Sequence, residues 1–196
     1  QDRTCDALYK KLLEYPLKER LKVKLVSIDL SSFFRSVIRA CFPNAKITAD
    51  KFHAVRMAND ALNTIRKQVQ EKLSKEQRRN FKRARYLLLS REKNLVKEKD
   101  REALQVILNY SDKLSAAYAM KEAYFDLMES KDGIEFTSRL KKFQLAVEKQ
   151  QLKPFLTLLK TTLQWKKELL HMIVTGYNNG FTEGCNTTIK TLKRIS

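Results

Sequence analysis

The side chains best suited to chemistry in this sequence of 196 residues are carboxylates set just behind short apolar runs. Asp29 follows the run at 23–28, and Asp50 follows the run at 45–49, with His53 three residues later. A third acid, Glu183, sits among Gly176, Gly180 and Gly184 and close to Asn178 and Asn179. Carboxylate oxygens are what a hard divalent cation takes, so Glu183 in such a loop is a candidate ligand. The same acids also have ordinary uses. An Asp after a strand is a common turn former, and a Glu at a helix start complements the helix dipole. Nucleophilic catalysis finds no support, because neither His53 nor His171 has an obvious Ser or Cys partner in the sequence. His171 reads as an ordinary helix residue.

The elements around these acids decide whether they can meet. The run at 23–28 is too short for a helix and reads as a strand. Ser31 or Ser32 can then cap a helix in which Phe33, Phe34, Val37, Ile38 and Cys41 share a face. Pro43 and Asn44 end it, since a residue before proline is pushed out of the α region. A second strand at 45–49 completes a βαβ unit, with parallel strands and a right-handed crossover. In such sheets ligands gather at the carboxyl ends of the strands, where Asp29 and Asp50 both fall. At the far end of the chain, three of the four glycines lie at 176, 180 and 184. They call for special backbone angles or close approach of another backbone, and the basic residues Lys190, Lys193 and Arg194 follow.

The remainder reads as helix. Residues 4–20 carry Leu8, Leu12, Leu13 and Tyr15 on one side, with Pro16 shortening the helix. From 51 to 99 the chain is helical and basic, with 14 basic and 5 acidic residues between Arg66 and Arg101. A charge run is ordinarily a solvated face. This density, with Phe81 and Tyr86 interleaved, favours phosphate contact through Arg78, Arg79, Lys82, Arg83 and Arg85. Asp100 can cap a helix bearing Leu104, Ile107 and Leu108, and Ser111 another bearing Leu114, Ala117, Tyr118, Tyr124, Phe125 and Met128. Gly133 breaks the pattern before a helix with Phe136, Leu140, Phe143 and Val147. One last long helix starts near Pro154 and runs through Leu163 and Ile173, with Trp165 as core.

The expected fold is mostly α with a small parallel β unit (α+β or α/β). Its divisions are 1–55 with the βαβ unit, a basic helical block at 56–174, and a return at 175–196. Forty lysines and arginines against 22 acids give net +18, which points to a polyanionic partner, nucleic acid above all. No apolar run approaches the roughly 18 residues of a membrane span, and no leader pattern opens the chain. Three scattered cysteines suit a reducing cytosol and argue against zinc.

Three stretches in order carry a family resemblance: SIDL at 27–30, FPNAKITADKFHAVR at 42–56, and NNGFTEGCNTTIKTLKR at 178–194. Together they resemble the DDE transposases of bacterial insertion sequences of the ISL type. These are related to Mutator-like and hAT-like enzymes, which interrupt an RNase H-like core with an all-helical insertion. The resemblance implies that Asp29 and Glu183, 154 positions apart, are the second and third catalytic acids and ligands of Mg²⁺ or Mn²⁺. It implies active-site support from Asp50 and His53, and from Asn179, Gly180, Gly184 and Asn186 in the loop presenting the glutamate. Two such ions, roughly 3.5–4 Å apart, serve strand cleavage and transfer. Transposon-end and target DNA are the implied partners, in the bacterial cytoplasm at the nucleoid, with room for a homo-oligomer in a synaptic complex. The family's first Asp lies on an earlier strand. Only 28 residues precede Asp29, and Asp2 and Asp6 fall in a terminus or helix, so a fragment without that acid is implied, inactive alone. The competing expectation is a non-catalytic helical nucleic-acid-binding remnant.

Overall fold

The computed structural model describes residues 5–83 and 85–177. In chain order the elements begin α1 (Cys5–Leu13), α2 (Leu17–Arg20), β1 (Leu25–Ile28), α3 (Ser32–Cys41), β2 (Lys46–Ala49) and α4 (Lys51–Gln70). They continue with α5 (Lys75–Arg83), α6 (Arg85–Leu89), a 3-10 turn (Glu92–Asn94), α7 (Glu98–Leu108), α8 (Asp112–Met128) and α9 (Gly133–Gln150). The last two are α10 (Lys153–Gln164) and α11 (Lys166–Thr175). The protein is mostly α with a small parallel sheet, of two strands among the described residues, as the residue pattern predicts. Two compact units result. One joins the chain up to Ala54 with the chain from Trp165, and the other is Val55–Gln164.

In the sheet unit, β1 and β2 run parallel with Leu25 opposite Lys46 and Ile28 opposite Ala49. The first strand is two residues shorter than expected, because the Val23 N–H is taken by the Arg20 carbonyl in the turn that ends α2. Ser31 is the N-cap of α3, accepting the Phe34 N–H. Val37, Ile38 and Cys41 go inward, whereas Phe33 and Phe34 stay over a third exposed and stack edge-on against each other. Cys41 has no exposed surface, and burial pushes its thiol pKa up. The expected long final helix is two helices. The backbone leaves helical geometry at Trp165, whose indole is 2% exposed, and α11 then packs on β2 ten residues before the glycine-rich stretch begins.

In the helical unit, α8 and α9 form the centre. Tyr124 lies 5.1 Å from Phe143 between ring centroids, and Phe136, Leu140 and Val147 complete the buried stripe of α9. Fully burying a side chain of this kind contributes about 1.5–3 kcal/mol. Three helix starts differ from expectation, Ser111 holding the N-cap position of α8 without a side-chain capping bond. Lys97 holds the N-cap position of α7, leaving Asp100 in its first turn, where its charge suits the helix dipole. Gly133 opens α9 rather than merely ending what precedes it, because Asp132 caps both the Ile134 and Glu135 N–H groups. Phe81 is fully buried, edge-on to Tyr110, and so is core rather than part of a charged surface.

Lys121 of α8 is buried among these groups. Its Nζ donates to the carbonyls of Leu88 (3.1 Å) and Ser90 (2.6 Å), pairs with Glu122 at 2.6 Å and stands 4.2 Å above the Tyr118 ring. It thereby supplies donors to the chain just where α6 ends and leaves carbonyls without helical partners.

The buried Tyr124 sets a pH dependence. Its phenol is pushed up to about 12 by burial, against 10.0 for the free side chain. The unfolded chain therefore loses this proton first, and stability falls as pH rises from 10 toward 12. Over those two units the loss should reach about 3 kcal/mol. Urea unfolding at stepped alkaline pH should show Tyr124→Phe lacking this part of the decline. A parallel decline in the two proteins would assign it to other groups.

Candidate functional site

The register of the sheet brings the two strand-end acids together. Ile28 faces Ala49, and the ladder extends one step further through the Asp50 N–H, which donates to the Ile28 carbonyl at 2.8 Å. Asp29 and Asp50 are thus neighbours across strands spaced about 4.8 Å apart. His53 reaches back over one turn of α4. Its Nδ1 lies 2.7 Å from Asp50 Oδ2 and 3.2 Å from Asp29 Oδ1. Asp29, Asp50 and His53 each offer a ligand atom, all within 4.8 Å of one another.

The three are not equivalent. Asp50 is 1% exposed, and its other oxygen accepts the Phe52 N–H at 3.0 Å, a cap on the start of α4. Both its oxygens are therefore in use. His53 Nδ1 sits between two carboxylates, within hydrogen-bond distance of both. The Asp29 side chain is 49% exposed. It is the member that can turn an oxygen outward. Asp50 anchors His53, and His53 steadies Asp29.

Beneath the acids lies a pair that sequence reading passed over. Ser27 and Thr48 face each other in the ladder, two residues before Asp29 and Asp50 and hence on the same side of the sheet. Thr48 is fully buried, and among the described residues neither hydroxyl has a hydrogen-bond partner. The alternation of strand positions was the signal available for them.

Glu183 and its neighbours Asn179, Gly180, Gly184 and Asn186 lie outside the described residues, as do Lys190, Lys193 and Arg194. The basic run between Arg66 and Arg101 separates into two kinds of side chain. Arg78 is turned back on the chain, donating to the carbonyls of Glu71 (2.7 Å) and Leu73 (2.9 Å). Arg66 is buried and bonded to Asn63 and Gln70, while Arg91 pairs with Glu122 and Asp126. Arg79, Lys82 and Arg85 are exposed, with no ion-pair partner among the described residues. Arg85 also stands near enough to Arg66 to join burial, the larger cause, in lowering its pKa. Arg83 belongs to α5.

Two further residues of the sheet unit go beyond their sequence reading. His171 is tied to the sheet through Nδ1, 3.0 Å from the Ile47 carbonyl. Glu168, 2% exposed, is 3.0 Å from Arg39 and 3.5 Å from Arg35, and the Arg35 guanidinium lies 4.2 Å over the Trp165 ring. No described helix is long and apolar enough to cross a membrane.

A protein-family model described as Transposase matches residues 1–196 of the chain. No curated protein and no solved structure matches it.

Proposed function

The chain belongs to the ISL3-type DDE transposase family, and on that footing we propose that Asp29 is a metal-binding acid of its DNA-cleaving site. The observation that carries this reading is the convergence of Asp29, Asp50 and His53 at the carboxyl ends of the parallel strands. The donor set fits the ion. Oxygen ligands suit Mg²⁺ or Mn²⁺, and Asp29 with Glu183 would hold it. When bound, such cations would supply charge stabilisation to the reacting oxygens of a phosphodiester. His53 and Asp50 are positioning residues, holding the Asp29 carboxylate on the strand end. The family's remaining acid belongs on a further strand, for which the side of β1 away from β2 is the natural place. The sheet unit then corresponds to part of an RNase H-like core and Val55–Gln164 to the helical insertion, working on transposon ends in a bacterial cytoplasm.

Titrating the chain with Mn²⁺ and following its paramagnetic signal tests the reading. Weak binding is expected, because two carboxylates leave much of the coordination to water. Asp29→Asn and Glu183→Gln should each weaken it further. Binding indifferent to both substitutions would place the metal elsewhere.

DNA binding in this reading is largely electrostatic, and the exposed cations of the helical unit contribute to it. Arg79→Ala, Lys82→Ala and Arg85→Ala together should reduce the magnitude of the log–log salt slope by about 0.9 for each phosphate no longer neutralised. Arg78→Ala should instead lower stability, since its guanidinium is committed to backbone carbonyls. Fluorescence anisotropy on a labelled duplex separates the two. An unchanged slope in the triple variant would mark this surface as merely solvated.

A further inference from the structure

At the opposite end of β2 from the acids, the sheet unit holds a cleft of about 140 Å³. Its walls include Arg39 from α3, Lys46 from β2, and Lys167, Glu168 and His171 from α11. Glu168 is buried and turned onto Arg39 and Arg35, so its charge is already matched, and it fixes where the Arg39 guanidinium stands. Lys46 and Lys167 are exposed and have no ion-pair partner among the described residues. With Glu168 taken up by Arg35 and Arg39, the two lysines leave the cleft with a positive excess that an anion would offset.

Two further features suit that anion to phosphate. Lys167 lies in the first turn of α11, so the positive end of that helix dipole adds to the charge at the cleft. His171 donates from Nδ1 to the Ile47 carbonyl, which can only accept, so its ring is held in a fixed orientation at the cleft wall. The cleft is also open at the surface, with its lysines exposed. That arrangement fits a phosphate belonging to a long chain better than a small anion that must be enclosed.

We infer that this cleft binds a backbone phosphate of DNA, with Lys46 and Lys167 contacting its oxygens and Glu168 positioning Arg39 beside them. The inference rests on the DNA-processing role proposed above and adds to it a contact point in the sheet unit. Four residue steps of extended strand separate Lys46 from Asp50, about 13 Å. DNA gripped at the cleft would thus run past the acids at a fixed offset.

Trp165, the single tryptophan of the chain, stands two residues before Lys167 and reports on this wall. The test combines its fluorescence with anisotropy of a labelled duplex, using the full chain. Lys46→Ala/Lys167→Ala alters exposed side chains and should leave the fold intact, and Lys46→Arg/Lys167→Arg keeps the charges. The alanine variant neutralises one fewer phosphate. Between about 50 and 200 mM salt the wild type should therefore lose about 3.5-fold more affinity than that variant does. Duplex should shift the Trp165 emission of the wild type and the arginine variant but not of the alanine variant. Equal salt slopes and equal emission shifts in the wild type and alanine variant would overturn the cleft while leaving the DNA reading in place. No duplex binding by the wild type would overturn both. If inorganic phosphate at matched ionic strength shifts Trp165 and duplex does not, the cleft takes a free anion and the assignment to DNA fails.

Discussion

Asp29→Asn should lower metal-dependent nicking of transposon ends by at least ~100-fold, while binding to those ends persists. The floor comes from the usual cost of losing a group that merely supports a metal ligand, roughly 10- to 100-fold, which the ligand itself should exceed. His53→Ala should fall within that supporting range, because its imidazole touches the Asp29 carboxylate at 3.2 Å without being the outward-facing group. Asn keeps the size of Asp29 and removes only the charge, so a folding defect is a poor explanation of abolished cleavage. Cleavage should be followed on a radiolabelled end with Mg²⁺ and with Mn²⁺, alongside gel-shift binding. Undiminished nicking by Asp29→Asn would falsify the assignment of this strand end to the chemistry.

The second large effect concerns stability. Lys121→Ala removes a buried ammonium that satisfies the carbonyls of Leu88 and Ser90 and pairs with Glu122. Breaking a buried pair from one side typically costs about 3–5 kcal/mol, which corresponds to a fall in Tm on the order of 10 °C for a chain of this size. Lys121→Met keeps most of the stem volume and should lose less, although the two carbonyls remain without a donor. Burial lowers the Lys121 pKa below 10.5, so the folded state gives up this proton before the unfolded one. Just below pH 10.5 the wild type should therefore gain stability relative to Lys121→Met as pH rises. Calorimetry across that range checks both statements. If Lys121→Ala melted with the wild type, the residue would be a bystander.

Local signals made much of this legible in the sequence. The runs ending in Asp29 and Asp50 and the Ser31 cap of α3 follow from periodicity and capping over a few residues, and the structure has them. Where tertiary demands compete with local pattern, sequence reading fails. The stripe through Leu163 and Ile173 looks like one helix, yet the backbone leaves helical geometry at Trp165, which is buried beneath the Arg35 guanidinium, and no local rule announces that. Phe81 sits among lysines and arginines and looks like part of a basic surface. Its neighbour is Tyr110, some thirty residues on. The proximity of His53 to both acids needed a strand register as well as a helix phase, and Ser27 with Thr48 needed the register alone. The division of the basic run into tethered and exposed cations depends on carbonyls and carboxylates that charge counting ignores.

The buried Cys41 gives the sheet unit its own chemical clock. With no exposed surface and a thiol held in the protonated form by burial, it should react with alkylating reagents only when α3 lifts from the sheet. Its modification rate, in a background with Cys5 and Cys185 changed to Ser, becomes the rate or equilibrium of that opening. Because α3 is the crossover that sets β1 beside β2, the same opening unmakes the alignment of Asp29 with Asp50. A thiol with no part in the chemistry therefore reports how much of the time the acidic pair exists.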